Sequence, residues 1–182
     1  TYFEDKQYAK GLGILREAAT YAAGLPLGQR ITAEMTEMFS NLFLNAEENN
    51  LSPLDAVALY EQFPELLPPG DEGHQVVKSL AEHLVRADLH ERATKLLRYQ
   101  MEHRVDEREA FNLASRLASI YLLDGNAQES EVMLNKANEL YEKLEAEGNM
   151  PEGTRLGLSL LRARALSRQG RQDEALAYLD SL

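Results

Sequence analysis

Apolar residues recur every three to four positions along most of the chain, and no stretch alternates cleanly between apolar and polar residues. A period near 3.6 places apolar side chains on one face of an α-helix, so the pattern predicts helices rather than strands. Gly, Pro and polar clusters interrupt the pattern where helices are expected to end. It predicts nine helices, lined by apolar residues within 8–19, 31–46, 55–60, 77–84, 89–97, 113–121, 132–141, 156–166 and 175–182.

The residues at the breaks predict how individual helices begin and end. Gly24-Leu25-Pro26 is expected to follow the first helix, and Thr32 is the expected cap of the second. Ser52 with Pro53 predicts a capped start for the third, because Ser accepts a backbone hydrogen bond and Pro fits the first turn. The short connections predict antiparallel neighbours throughout.

Two stretches in the second half of the chain, 117–130 and 162–175, share one pattern. Each has a small residue in its first helix, a large residue three positions later, a Gly at the turn and a small residue five positions after that Gly. The small residues and glycines are Ala118, Gly125 and Ser130 in one stretch and Ala163, Gly170 and Ala175 in the other. Residues 81–97 repeat the pattern with Asp88 in place of Gly. Small residues at these positions let two antiparallel helices approach closely, and Gly ends the first helix in a left-handed conformation.

This pattern resembles the tetratricopeptide-repeat family, whose helix–turn–helix unit has about 34 residues. The opening, 2–18, looks like the end of one repeat, with Gly11 in the small position and Leu15 in the large one. The resemblance is strong over 76–182 and weak over 25–73. Taking Gly11, Ala56, Ala93, Ser130 and Ala175 as equivalent gives spacings of 45, 37, 37 and 45. These exceed the family period, so extra residues are expected at 24–30 and 148–152.

The resemblance implies an all-α fold, a solenoid of antiparallel helix pairs coiled into a right-handed superhelix. Residues 1–73 would form degenerate repeats, and 74–182 three more regular helix pairs. The chain starts inside a repeat and ends at Leu182 on an apolar helix face, so we expect it to be a segment of a longer superhelix. It is also similar to repeat segments of long bacterial proteins, many of the cell envelope; envelope and cytoplasm both remain open as its compartment.

Composition and charge exclude several classes of function. The chain has 182 residues, a net charge of −11 and no Cys, which excludes disulfides and zinc–thiolate sites. The acidic balance argues against nucleic acid as a partner, and no apolar stretch approaches the ~18 residues of a membrane span. The charge is uneven, however, since residues 1–74 carry a net −8 and residues 148–182 a net +1.

Candidate chemistry is sparse, and we predict neither an enzyme nor a bound metal or cofactor. No two of the four histidines, at 74, 83, 90 and 103, have the spacing that places both on one metal ion from a helix. The acids Asp106, Glu107 and Glu109 fall at a predicted helix start, where they complement the helix dipole. The stripe formed by Met35, Met38, Phe39 and Phe43 is expected to fill the core, the alternative being a pliable binding surface.

In the tetratricopeptide-repeat family the first helices of the repeats line a concave groove that binds an extended or helical peptide. The resemblance therefore implies the groove residues Lys78, Glu82, Arg86, Asn112, Arg116, Ser119, Arg164 and Arg168, together with Gln75, Ser115, Leu122 and Leu160. Because Arg binds carboxylates with two parallel hydrogen bonds, an acidic segment or a C-terminal carboxylate is the expected ligand. The alternative is that these arginines pair with acids on neighbouring helices.

The two-carboxylate clamp of chaperone-binding relatives is disfavoured, because it needs Asn one turn after the Lys and Lys78 is followed by Glu82. The leading functional prediction is a non-enzymatic scaffold that binds a protein or peptide. Two alternatives stay open: a regulatory or substrate-recruiting arm of a larger enzyme, and a self-assembly module that forms homo-oligomers through uncapped ends.

Overall fold

The computed structural model describes residues 7–46, 49–103 and 105–180. Within these ranges the regular secondary structure is helical, and there is no β-strand. This confirms the predicted all-α class; the solenoid arrangement stays a prediction. A 3-10 helix, Pro64–Leu66, follows the third α-helix. The α-helices are α1 (Tyr8–Tyr21), α2 (Pro26–Leu44), α3 (Pro53–Gln62), α4 (Asp71–Arg86), α5 (His90–His103), α6 (Glu107–Leu123), α7 (Ala127–Ala146), α8 (Thr154–Arg168) and α9 (Gln172–Asp180).

Helices α6 and α8 end in the turns that the repeated Gly predicts. Gly125 and Gly170 have φ values of 77° and 78°. After α6, the amide of Asn126 donates to the carbonyl of Tyr121 at 2.8 Å, the six-residue hydrogen bond that closes such helix ends. Asp88, which the repeat pattern places where Gly would stand, also adopts the left-handed conformation, with φ 60°.

Side chains cap the starts of several helices. The Ser52 hydroxyl accepts the amide of Asp55 at 3.1 Å, with Pro53 in the first turn of α3 as predicted. Asp106 caps α6 by accepting the amide of Glu109 at 2.9 Å. This carboxylate at a helix start has the structural role expected of it.

The start of α2 was predicted wrongly. The helix begins at Pro26, five residues before the expected Ile31, and Thr32 lies inside it with its hydroxyl donating to the carbonyl of Gly28 at 3.1 Å. Pro26 occupies the first helical position, where its missing N–H costs nothing. Residues 26–30 therefore lengthen a helix rather than a loop.

The chain divides into two compact units, Thr1–Ala87 and Asp88–Leu182, called here the N-terminal and C-terminal units. The sequence predicted a boundary after residue 73, between degenerate and more regular repeats, and that boundary stays a prediction.

In the N-terminal unit, α2 packs against α1 and α4, and its Phe39 and Phe43 are buried with ring centroids 4.7 Å apart. Arg16 lies over the ring of Phe63 at 4.7 Å and donates to the carbonyl of Gln62 at 3.2 Å, which joins α1 to the end of α3.

In the C-terminal unit, α6 packs against α5, α7 and α8, and α8 also packs against α7 and α9. The closest approach expected between α6 and α7 is present: Ser130 is fully buried, and its hydroxyl donates to the carbonyl of Ala118 at 2.8 Å. All five residues aligned as small positions by the repeat pattern are buried, namely Gly11, Ala56, Ala93, Ser130 and Ala175. The positions that the repeat pattern aligns as small are therefore buried, and Ser130 lies at a close contact between two helices.

Candidate partner-binding face

Helix α8 is the basic element of an acidic chain. It carries four arginines and no Asp or Glu, in a protein of net charge −11. One side of the helix is buried through Ser159, Ala163 and Leu166. Its exposed side presents Leu160, which is 53% exposed, and then Arg164 and Arg168 at intervals of one turn.

Helix α6 presents a narrow stripe of mainly polar side chains. Asn112, Arg116, Ser119 and Leu123 are spaced by four, three and four residues, which places them within about 60° of one another around the helix. Asn112, Arg116 and Leu123 are exposed, and Ser119 is half-buried. The Ser119 hydroxyl donates to the carbonyl of Ser115 at 3.1 Å, so its hydrogen atom is committed to its own helix.

Helices α6 and α8 contact each other, and we call their exposed residues, taken together with Ser119, the α6–α8 face. It holds five of the eight predicted site residues: Asn112, Arg116, Ser119, Arg164 and Arg168.

The three arginines of this face have no ion-pair partner among the described residues. No carboxylate there lies within 4 Å of the guanidinium groups of Arg116, Arg164 or Arg168. For these three side chains the structure does not show the predicted alternative, pairing with acids on neighbouring helices; for the groove arginines as a whole that alternative stays open.

Two arginines elsewhere in the same unit, Arg98 and Arg171, are paired and serve the fold. Arg98 donates to the Tyr121 hydroxyl at 2.9 Å and to Glu129, and the hydrogen bond to Tyr121 is the main cause that raises the pKa of Arg98. Arg171 donates to Glu174 at 2.6 Å, and this hydrogen bond raises the pKa of Arg171 and lowers that of Glu174.

The other three of the eight predicted site residues, Lys78, Glu82 and Arg86, lie one turn apart on α4 in the N-terminal unit, with the predicted groove residue Gln75 on the same helix. Lys78 and Arg86 are exposed and Glu82 is half-buried. The α6–α8 face is thus defined without them.

Leu122 does not line the face, although the resemblance implied that it would. It is buried at 6% exposure, whereas Leu123 is 66% exposed. Leu156 was expected in the helix core and is 54% exposed instead. Leu123 and Leu156 therefore add exposed apolar surface to α6 and α8. Periodicity alone did not show this, because the pattern does not say which part of a helix a neighbouring helix covers.

Two histidines, His83 and His90, contact other residues of the protein. The Nε2 atom of His83 lies 2.7 Å from the carbonyl oxygen of Leu51, and the Nδ1 atom of His90 lies 3.3 Å from Asp124. The described residues contain no group of three or more His, Asp or Glu placed to hold one metal ion. His103 contributes no described side chain.

None of the helices in the described ranges has both the length and the apolar character required to cross a bilayer. Comparisons of this chain with protein-family models, with curated proteins and with solved structures found no match.

Proposed function

We propose that the C-terminal unit is a protein-interaction module, which binds an acidic segment of a partner protein on the α6–α8 face. The observation that carries this proposal is the arginine content of two contacting helices: among the described residues, Arg116 on α6 and Arg164 and Arg168 on α8 have no carboxylate within 4 Å. In a chain with 30 acidic and 19 basic residues, a helix such as α8, with four arginines and no acid, is the reverse of the average composition.

The chemistry of the face suits carboxylates flanked by apolar side chains. A guanidinium group donates two parallel hydrogen bonds to a carboxylate and is more weakly hydrated than an ammonium group, so it loses less on contact with a partner. Leu160 and Leu123 supply exposed apolar area on α8 and α6. The resemblance to tetratricopeptide repeats supports the same side of the molecule, because the family binds peptides on its first helices.

Each ion pair between the face and its ligand is expected to contribute little to the free energy of binding, and the three together contribute measurably. An exposed ion pair contributes about 0.2–1 kcal/mol, so three give about 1–3 kcal/mol, with the rest supplied by apolar burial. Salt screens such attractions, and the screening length is about 10 Å at an ionic strength of 0.1 M. The affinity should therefore fall as the salt concentration is raised.

The test is the double charge reversal Arg116→Glu with Arg164→Glu, measured by fluorescence anisotropy with a dye-labelled peptide that alternates Glu and Leu. We expect binding to weaken by about 10- to 100-fold, since two attractions become repulsions. A peptide with Gln in place of every Glu should bind no better to the native chain than to the variant. Amidation of the peptide's C-terminus shows whether a terminal carboxylate contributes.

The control is Arg92→Glu with Arg155→Glu, which changes the net charge by the same amount. Arg155 lies nine residues before Arg164 on α8, half a turn away around the helix, and both control residues are exposed. Circular dichroism should show equal helicity in all three proteins. Equal loss of binding in the test and control variants would show that only net charge matters and would refute the assignment of the face.

A further inference from the structure

The N-terminal unit holds an open cavity of about 480 Å³ beside α2. Its lining residues come from a different part of the sequence than the α6–α8 face. Its volume falls in the range typical of small-ligand sites. It is lined by Tyr8, Glu34, Glu37, Met38, Asn41, Leu42 and Asn49.

Hydrogen bonds between distant parts of the sequence fix the wall of this cavity. The Tyr8 hydroxyl, at the start of α1, donates to the carbonyl of Asn49 at 2.9 Å. The side-chain amide of Asn49 in turn donates to the carbonyl of Asn41 on α2 at 3.3 Å. The cavity is thus built by contacts that join three segments, and its shape exists before any ligand arrives.

The floor of the cavity is apolar. Leu42 is buried, and Met38 is 39% exposed while its stripe neighbours Met35, Phe39 and Phe43 are buried. The stripe therefore fills the core as expected at three of its four positions, and its fourth residue faces the cavity. Met is flexible and polarizable, so it adapts to an aliphatic chain laid against it.

The rim of the cavity is negatively charged. Glu34 and Glu37 lie three residues apart on the same side of α2, and no Lys or Arg is among the lining residues. Among the described residues, the cation that pairs with Glu34 is Arg30, at 4.0 Å, the outer limit of an ion pair. For Glu37, and for the side-chain amide of Asn41, the described residues offer no hydrogen-bond or ionic partner.

We propose that this cavity binds an alkylammonium group, carried either by a lysine side chain of a partner or by a free polyamine. The aliphatic chain would lie against Met38 and Leu42, and the ammonium group, which donates three hydrogen bonds, would meet Glu34, Glu37 and the side-chain carbonyl of Asn41. Net charge adds to this preference, because residues 1–74 carry a net −8. The site and the α6–α8 face belong to different compact units, and their proposed ligands have opposite charges.

The test is an NMR titration of the ¹⁵N-labelled chain in two arms. One arm uses spermidine, and the other uses a peptide with blocked ends whose only charge is one lysine side chain. We expect saturable shifts of the side-chain amide signals of Asn41 and Asn49 in at least one arm, and the arm that responds identifies the source of the group. Hexanoate, with a comparable chain and the opposite charge, should cause none.

The variant Glu34→Gln with Glu37→Gln should weaken the binding by about five- to tenfold, since it neutralises two exposed carboxylates without changing their shape. The control, Glu139→Gln with Glu142→Gln on α7, removes two acids with the same spacing and exposure from the other unit. Met38→Gln, at a half-exposed position, should reduce the preference for hexylamine over methylamine and leave the binding of methylamine unchanged.

Two results would overturn the proposal. One is no response of Asn41 and Asn49 in either arm. The other is equal weakening by the test and control pairs, which would reduce the effect to the general attraction of an acidic protein for cations.

Discussion

Gly28, in the first turn of α2, sits where two helices approach more closely than any side chain allows. A Cβ atom built on Gly28 would lie 2.4 Å from the carbonyl oxygen of Ala22 and 3.3 Å from that of Ala19, both backbone atoms of the preceding segment. Observed Cβ contacts essentially never fall below 3.0 Å, so Gly28→Ala must move α2 away from the end of α1 by at least about 0.6 Å.

Two opposing effects decide the outcome of this substitution. Ala is favoured over Gly inside a helix by about 0.5–1 kcal/mol. Forcing backbone segments apart in a packed region costs about 1–3 kcal/mol, and neither clashing oxygen can turn aside as a flexible side chain would. We therefore expect Gly28→Ala to lower the free energy of unfolding of the N-terminal unit by about 1–2 kcal/mol. For a unit of this size the loss corresponds to a fall in Tm of about 4–8 °C per kcal/mol.

The measurement is urea and thermal unfolding followed by circular dichroism, with Gly13→Ala as the matched control. Gly13 lies inside α1, and a Cβ built there meets nothing within 4 Å. The control should therefore raise the free energy of unfolding by about 0.5–1 kcal/mol, through helix propensity alone. If Gly28→Ala stabilised the protein as much as Gly13→Ala does, the described close contact between Gly28 and the end of α1 would be refuted.

Two further predictions concern the C-terminal unit. Ser130→Ala should lower the free energy of unfolding by about 1 kcal/mol, because the buried carbonyl of Ala118 loses the hydroxyl donor that joins α7 to α6; Ser130→Val should lower it by about 2–4 kcal/mol through added crowding, and equal effects of the two in chemical denaturation would contradict the tight contact. Glu174→Gln should reduce Tm at pH 6, and the reduction should shrink as the pH is lowered: the lowered pKa of Glu174, caused by Arg171, means stability that is present above the ordinary carboxyl pKa and lost as the pH falls through the folded value. Thermal unfolding at several pH values checks the second, and a Tm difference that stays constant as the pH falls would contradict it.

Much of the secondary structure followed from neighbouring residues alone. Ser52 and Pro53 start α3, and Gly125 and Gly170 close α6 and α8, through hydrogen bonds and backbone angles that involve only a few adjacent positions. The start of α2 was missed because Pro26 is equally compatible with a break and with a first turn. What favours the helix there is the fit of Gly28 against α1, a contact between segments.

The sequence by itself determined where the helices lie, which small residues are buried and that positive charge accumulates toward the C-terminal end. These properties depend on spacing along the chain, and helical spacing fixes the direction of each side chain around its own axis. The tertiary structure decided that Leu123 rather than Leu122 is exposed, that Arg116 and Arg164 have no carboxylate partner among the described residues, and that Tyr8 completes a cavity with Asn49. These features depend on the placement of one helix against another, which the period of a single helix does not contain.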